Sequence, residues 1–162
     1  MECVRDIIIG LVSGVISSFI VTFIWHRKML KIDASNKDND QKKEYVRQFK
    51  EDIQTLCHYL DHLELELSLP ETADKLTNIR RLIDSRPGTS SFVGGMREDG
   101  ITLMMKLNIC LREMDDEATR NTLSTSKCNI YMGRLFILKC DLLKNQDVIR
   151  RPWSEYKQIS DK

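Results

Sequence analysis

The sequence predicts an all-α protein, in which a single N-terminal transmembrane helix precedes a small, oligomeric cytoplasmic helical bundle. Residues 7–25 (IIIGLVSGVISSFIVTFIW) form a run of nineteen residues without a charge. Beyond this run, apolar residues recur every three or four positions, and no segment alternates as a β-strand does. Seven Gly and three Pro among 162 residues are too few for a disordered or collagenous chain.

The first predicted element is a membrane anchor within residues 1–31. A helix covers about 28 Å over nineteen residues, close to the ~30 Å hydrocarbon core of a bilayer. Trp25 and the basic residues after it suit the membrane interface. A cleaved signal peptide fits less well, because the start MECVRD is not net basic and no small-residue cleavage site follows.

The flanking charges predict the orientation of this anchor. Arg5 alone precedes the segment, whereas four basic residues follow it within a short distance: Arg27, Lys28, Lys31 and Lys37. The positive-inside rule therefore predicts a single-pass protein of the cell inner membrane, with a short N-terminus outside and a cytoplasmic C-terminal domain. Five cysteines without regular spacing agree with a reducing compartment, and they signal neither a disulfide scaffold nor a zinc site.

Small residues within the segment predict self-association. Gly10, Gly14 and Ser18 stand four positions apart, which forms a flat stripe on which helices approach closely in lipid. The alternative is that Gly and Ser are simply common in membrane helices.

The next predicted elements are a polar linker over residues 32–41 and a cytoplasmic helical domain over residues 42–162. The domain opens with apolar residues that alternate steps of three and four, namely Val46, Phe49, Ile53, Leu56, Leu60, Leu63 and Leu67. The members of this series from Val46 to Leu63 are predicted to form either the seam of a homo-oligomer or the inner face of a helix that packs within its own chain.

Three further helices are predicted. Ser68 and Glu71 resemble a capping box for a helix that ends near Ser85. An irregular stretch follows at residues 86–100, then a helix at about 101–118 that is apolar on most sides and hence central. A last helix covers about 124–145.

Catalytic and metal motifs are absent from the sequence. It contains neither GxSxG nor GxxxxGK[ST], so we expect no enzyme and no cofactor. His58 and His62 have the i, i+4 spacing of zinc ligands, but the heptad phase places both on the outer side of their helix, and we expect no metal. A net charge of +1 provides no general attraction to duplex nucleic acid, so binding of a polyanion requires a local basic patch.

One such patch occurs around the irregular stretch. Its predicted ligand-binding residues are Arg80, Arg81, Arg86, Thr89, Ser90, Ser91, Phe92, Gly94, Gly95 and Arg97. Guanidinium groups and free backbone amides bind phosphodiesters, and an aromatic ring stacks on a base. The alternative is a surface loop whose arginines pair with neighbouring acids. A second basic and aromatic group (Arg150, Arg151, Trp153, Tyr156, Lys157) is either a site for lipid headgroups or nucleotide, or a plain C-terminal tail.

In layout, the chain resembles the membrane-anchored accessory effectors of type III CRISPR systems. The resemblance rests on the helix at residues 7–25, the cytoplasmic helices, the arginine-rich loop and the lack of an enzymatic motif, and it assigns no residue. It implies an antiviral defence protein that binds a cyclic oligonucleotide, with cyclic tetra-adenylate favoured as the activating ligand. It also implies a homo-oligomer, a tetramer if the ligand is four-fold symmetric, that disturbs the membrane.

The second hypothesis is a non-enzymatic, single-pass scaffold or lysis-type protein. Its helical domain would dock a partner protein and would not respond to a small molecule.

Overall fold

A computed structural model describes the backbone of residues 2–70, 73–88 and 90–160. Side chains are described within these ranges except at residues 2–17, 20, 73, 90, 91 and 160. All regular elements of the described chain are helices, which confirms the all-α class. They are α1 (Glu2–Ser68), α2 (Ala73–Asp84), α3 (Ser90–Gly94), α4 (Glu98–Thr119), α5 (Thr125–Lys144), α6 (Gln146–Ile149) and α7 (Trp153–Ser160).

The chain divides into two compact units, residues 1–44 and 45–162, and the boundary lies inside α1. Residues 32–41, for which the sequence predicts a linker, are helical. They contain neither Gly nor Pro, so no residue interrupts the backbone hydrogen bonds of the helix.

The predicted membrane segment is only partly covered by the described side chains. Among the residues that are described, no helical stretch is both long and apolar enough to cross a membrane. Most of residues 7–25 lies outside that set. Gly10 and Gly14 of the predicted small-residue stripe also lie outside it, while Ser18 is exposed.

The heptad face of α1 forms the centre of the unit 45–162. Five of its residues are buried in one core cluster that also contains residues of α2 to α6, namely Phe49, Ile53, Leu56, Leu60 and Leu63. Val46 is half-buried. The helix therefore packs within its own chain, and the predicted oligomer seam at these residues is wrong. Burial at positions a and d is equally favourable inside a chain and between chains, so the pattern alone does not separate the two.

The junction of α1 and α2 differs from the predicted capping box. The Ser68 hydroxyl donates to the Leu65 carbonyl oxygen at 2.6 Å, so Ser68 belongs to the last turn of α1; Glu71 lies outside the described residues. Lys75 of α2 is buried, and its Nζ donates to the carbonyl oxygens of Leu67 at 2.8 Å and Leu69 at 2.6 Å. A lysine of α2 thus satisfies carbonyl groups at the end of α1.

Two short backbone segments close the unit 45–162. Residues 95–97 run antiparallel to residues 149–151: the Arg97 amide donates to the Ile149 carbonyl and the Arg151 amide to the Gly95 carbonyl, both at 2.8 Å. The Arg151 guanidinium also donates to the Met96 carbonyl oxygen, from Nη2 at 2.9 Å. Arg151, predicted within a ligand-binding group or a plain tail, holds these two segments together.

Aromatic side chains fix the C-terminal helix to α1. The Tyr45 ring stacks on Tyr156 at 4.2 Å between centroids and contacts Trp153 at 5.7 Å. Its hydroxyl donates to the Arg151 carbonyl oxygen at 2.8 Å and lies 3.1 Å from that of Gly95. The C-terminal residues are therefore part of the core structure and not a plain tail.

Candidate functional site

Phe92, the predicted base-stacking residue, lies in the core. It is 3% exposed, and its ring is 5.1 Å from that of Phe49 between centroids. The irregular stretch contains the short helix α3, which turns this side chain inward. Phe92 is therefore unavailable to a ligand, and this part of the predicted site is wrong.

The predicted free amide at Gly95 is also wrong. Gly95 is buried, and its amide donates to the Phe92 carbonyl oxygen at 3.1 Å. A Cβ atom at this position would lie 3.3 Å from Cδ2 of Phe49, which explains why a glycine suits the site. Gly94 is exposed, whereas Thr89 and the side chains of Ser90 and Ser91 lie outside the described residues.

The arginines of α2 are engaged locally. Arg80 Nε lies 3.7 Å from Oδ1 of Asp115 on α4, and Arg81 Nη2 donates to Oδ1 of Asn78 at 3.2 Å. Both arginine side chains are exposed. Arg80 thus follows the alternative in which the arginines pair with acids.

Arg86 and Arg97 differ from these two. Arg86 Nη1 donates to the neutral amide oxygen of Asn108, and Arg97 is exposed at the start of α4. Neither makes an ion pair within the described part of the chain. Since Asn108 and Asp115 are seven residues apart, Arg86 and Arg80 contact α4 about 10 Å from each other. The structure does not gather the four arginines around one pocket.

The histidine pair lies on the outer side of α1, as its heptad phase predicts. His58 and His62 are exposed. Within the described residues, no group of three or more His, Cys, Asp or Glu side chains is arranged to hold a metal ion.

An apolar surface on α4 and α5 was not predicted. Met105 and Ile109 of α4 are 58% and 56% exposed, and Ile137 of α5 is 60% exposed; Ile130 is also more than half exposed. The prediction that α4 is central holds for its inner face only. The i, i+4 spacing of Met105 and Ile109 is the sequence signal that could have located the second face.

Two residues of this surface, Ile109 and Ile137, line an open groove of about 280 Å³ between the two helices. Its lining comprises Lys106, Ile109, Cys110, Arg134, Ile137 and Leu138. We call it the α4–α5 groove. Burial raises the pKa of the Cys110 thiol at its floor, which keeps that group neutral. The groove is thus apolar inside, with a cationic group on each helix.

A second, polar cavity of about 390 Å³ adjoins the groove and shares Arg134 with it. Arg134 Nη1 lies 2.7 Å from Oε2 of Glu113, and Lys127 Nζ lies 2.9 Å from Oε1 of Glu117. Both ion pairs join α4 to α5. The buried apolar residues that α4 and α5 share in the core set the relative position of the two helices.

Comparison with protein-family models, with curated proteins and with solved structures gave no match to this chain.

Proposed function

We propose that this chain is a membrane-attached, non-enzymatic protein that acts through a protein contact at the α4–α5 groove. The observation that carries the proposal is the exposure of four large apolar side chains, which are Met105, Ile109, Ile130 and Ile137. The largest apolar patch on a monomeric protein, about 300–600 Å² in area, is often functional. A packed partner would remove these side chains from water.

Membrane attachment is supported by the N-terminal sequence. Residues 7–25 carry no charge, and the described apolar side chains within them, such as Phe19, Phe23 and Trp25, are more than half exposed. A helix that is apolar on all sides requires an apolar environment. The basic residues from Arg27 onward favour a cytoplasmic position for the unit 45–162.

Thiol labelling tests this topology. Among the described cysteines only Cys140 is exposed, so in a Cys3→Ser background it is the thiol that a membrane-impermeant maleimide would reach. We expect labelling of the full chain only after the inner membrane is permeabilised. Labelling of Cys140 in intact spheroplasts would contradict the proposed orientation. Release of the chain by alkaline carbonate would contradict membrane insertion.

Site-specific photo-cross-linking in cells tests the protein contact. A photo-reactive amino acid replaces Ile109 in the groove or, as a control, Gln54 on the exposed side of α1. We expect a discrete adduct from position 109 and none from position 54. Equal adduct patterns from both positions would argue against a contact at the groove.

A second candidate function is an antiviral effector that senses a cyclic oligonucleotide and disturbs the membrane through a transmembrane oligomer. It is favoured by Arg86 and Arg97, which carry no ion pair within the described residues. A ligand present at a hundredfold excess over its Kd stabilises the folded state by about 2.7 kcal/mol. We expect cyclic tetra-adenylate, but not linear adenylate, to raise the Tm, and Arg86→Glu to abolish the rise while Lys50→Glu preserves it. An unchanged Tm with wild type would reject this ligand.

A further inference from the structure

We infer that the partner in the α4–α5 groove is the same groove of a second copy of this chain, related by a two-fold axis. The inference rests on the proposed protein contact and names the partner. The heptad face of α1 is used within the chain, so it leaves no seam for assembly. The α4–α5 surface is apolar, exposed and formed by two helices that ion pairs join.

Two unpaired charges beside the groove point to a second copy. Lys106 lines the groove, Asp116 lines the adjoining polar cavity, and neither exposed side chain makes an ion pair with another described residue. Ten residues separate them, which is about 15 Å along the helix and too far for them to pair with each other. Ten residues also correspond to slightly less than three helical turns, so Lys106 and Asp116 lie on nearly the same side of α4. Around the helix axis, Ile109 lies between them.

A two-fold axis would pair both charges. In such a contact, residue i meets residue j of the partner while residue j meets residue i. An axis that crosses α4 midway between Lys106 and Asp116 places each lysine opposite the aspartate of the other copy. A partner whose surface carries charges of one sign only would instead leave either Lys106 or Asp116 beside a like charge or without an opposite charge.

The size of the surface agrees with a dimer of ordinary area. Four large apolar side chains, each more than half exposed, present about 400 Å² of apolar surface, comparable with the largest patch on a typical protein. A specific dimer buries about 800 Å² per partner, of which somewhat more than half is apolar.

Cysteine cross-linking of the full chain in membranes tests this arrangement. In a background of Cys3→Ser and Cys140→Ser, one tagged copy carries Lys106→Cys and a differently tagged copy carries Asp116→Cys. A thiol oxidant is then added. The second symmetric charge pair stays intact in this heterodimer. We expect a disulfide-linked product with both tags, at least about tenfold more abundant than from a control pair of Lys106→Cys and Leu65→Cys.

A matched pair of substitutions separates this contact from contacts elsewhere. Ile109→Glu is expected to reduce the cross-linked product at least about tenfold, whereas Leu65→Glu on α1, where the side chain is 64% exposed, is expected to leave it unchanged. Both positions are exposed, so the Tm of each variant should stay near that of wild type, and a large fall in Tm would exclude that variant from the comparison.

The outcomes distinguish this inference from the proposed function. If no product with both tags forms, while position 109 photo-cross-links to a protein of different mass, the second copy is wrong and the protein contact stands. If neither cross-link forms, both are wrong. A product that persists in Ile109→Glu overturns the inference, because the contact then lies elsewhere.

Discussion

Tyr45 connects three parts of the unit 45–162 through one side chain. Its hydroxyl contacts the carbonyl oxygens of Arg151 and Gly95, and its ring stacks on Tyr156. Because these groups are buried or partly buried, a carbonyl that loses its donor is not readily solvated. The single phenol therefore contributes both a hydrogen bond and packing area to the closure of the unit.

Tyr45→Phe should reduce the free energy of unfolding by about 1–2 kcal/mol, because the ring stays in place and the hydroxyl is lost. The control is Tyr156→Phe, which retains the stacked ring and removes a hydroxyl without a hydrogen bond within the described residues. Thermal unfolding of the two full-length variants measures the difference. Equal losses in both would show that the Tyr45 hydroxyl is not stabilising.

Lys75→Met should be more damaging than a lysine substitution on the surface. Removal of the buried ammonium leaves the carbonyl oxygens of Leu67 and Leu69 without this donor, at a cost of about 1–3 kcal/mol. Lys50→Met, at an exposed position of α1, should change the stability by less than about 0.5 kcal/mol. Denaturant unfolding compares the two, and a similar small effect in both would refute the capping role of Lys75.

Residue types alone predicted the chemistry of the basic loop but not the direction of its side chains. Phe92 was expected at a ligand because it lies between hydroxyl groups and glycines. Helix α3 has only five residues, too few to show a periodic pattern, so the inward direction of Phe92 had no local signal. Arg151 was ambiguous for a related reason, since its partner Met96 is 55 residues away.

At the scale of elements, α4 packs at its start against α6 through Gly100. A Cβ atom at this glycine would lie 3.1 Å from Cβ of Ile149 and 3.1 Å from Cβ of Met96, and both neighbours are buried. Such contacts require the neighbours to shift. At Gly133 in α5, by contrast, an added Cβ meets nothing within 4 Å.

Two Gly→Ala substitutions should therefore have opposite effects. Gly100→Ala is expected to lower stability by about 1–2 kcal/mol, because crowding outweighs the gain in helix propensity. Gly133→Ala is expected to raise stability by about 0.5–1 kcal/mol, because alanine favours the helix and the space is open. Thermal unfolding of both variants checks the signs. Stabilisation by Gly100→Ala would mean that Ile149 and Met96 move aside easily.

Helical periodicity predicted most elements, but it did not predict which elements pack against one another. The helices predicted at about 101–118 and 124–145 correspond to α4 and α5, whose ends differ by at most three residues. The heptads of α1 correctly marked its inner face, including Ile53 and Leu60. What covers that face depends on contacts between distant segments, and a one-dimensional pattern carries no such information.

At the scale of the whole molecule, three tyrosines make the folded state sensitive to alkali. Burial is the main cause that raises the pKa of Tyr45, Tyr59 and Tyr131 to about 12 each, from a usual value near 10. For Tyr59, burial outweighs the opposing effect of Arg86. The unfolded chain thus loses these protons at lower pH than the folded chain does.

The free energy of unfolding should consequently decrease between about pH 10 and about pH 12. Below pH 10 these phenols are protonated in both states and contribute no slope; within the window the folded state binds more protons, so stability is lost as the pH rises. Denaturant unfolding at several pH values measures the slope, which Tyr45→Phe should reduce. A slope of zero across this window would contradict the raised pKa values.

The fold class was predictable because helical periodicity extends over most of the chain. The location of the candidate site was not predictable. The α4–α5 groove is bordered by exposed residues from two helices, Ile109 and Ile137 among them, that only the packed hairpin brings together. Exposed apolar residues read in sequence as part of a broad core face, and α4, which is apolar on most sides, was therefore predicted to be central. Only the folded unit shows which apolar residues remain exposed after the core is filled.

The contact between Tyr45 and Arg151 spans 106 positions of the chain. During synthesis from the N-terminus, α1, α2, α4 and α5 exist before residues 149–156 are made, so the contacts that close the unit form only after residues 149–156 have left the ribosome. Until then, Met96 lacks its backbone neighbour Arg150, and the Tyr45 ring lacks Tyr156. A chain truncated before Ile149 lacks both contacts, so we expect it to be cleaved by proteases faster than the chain that contains residues 149–156.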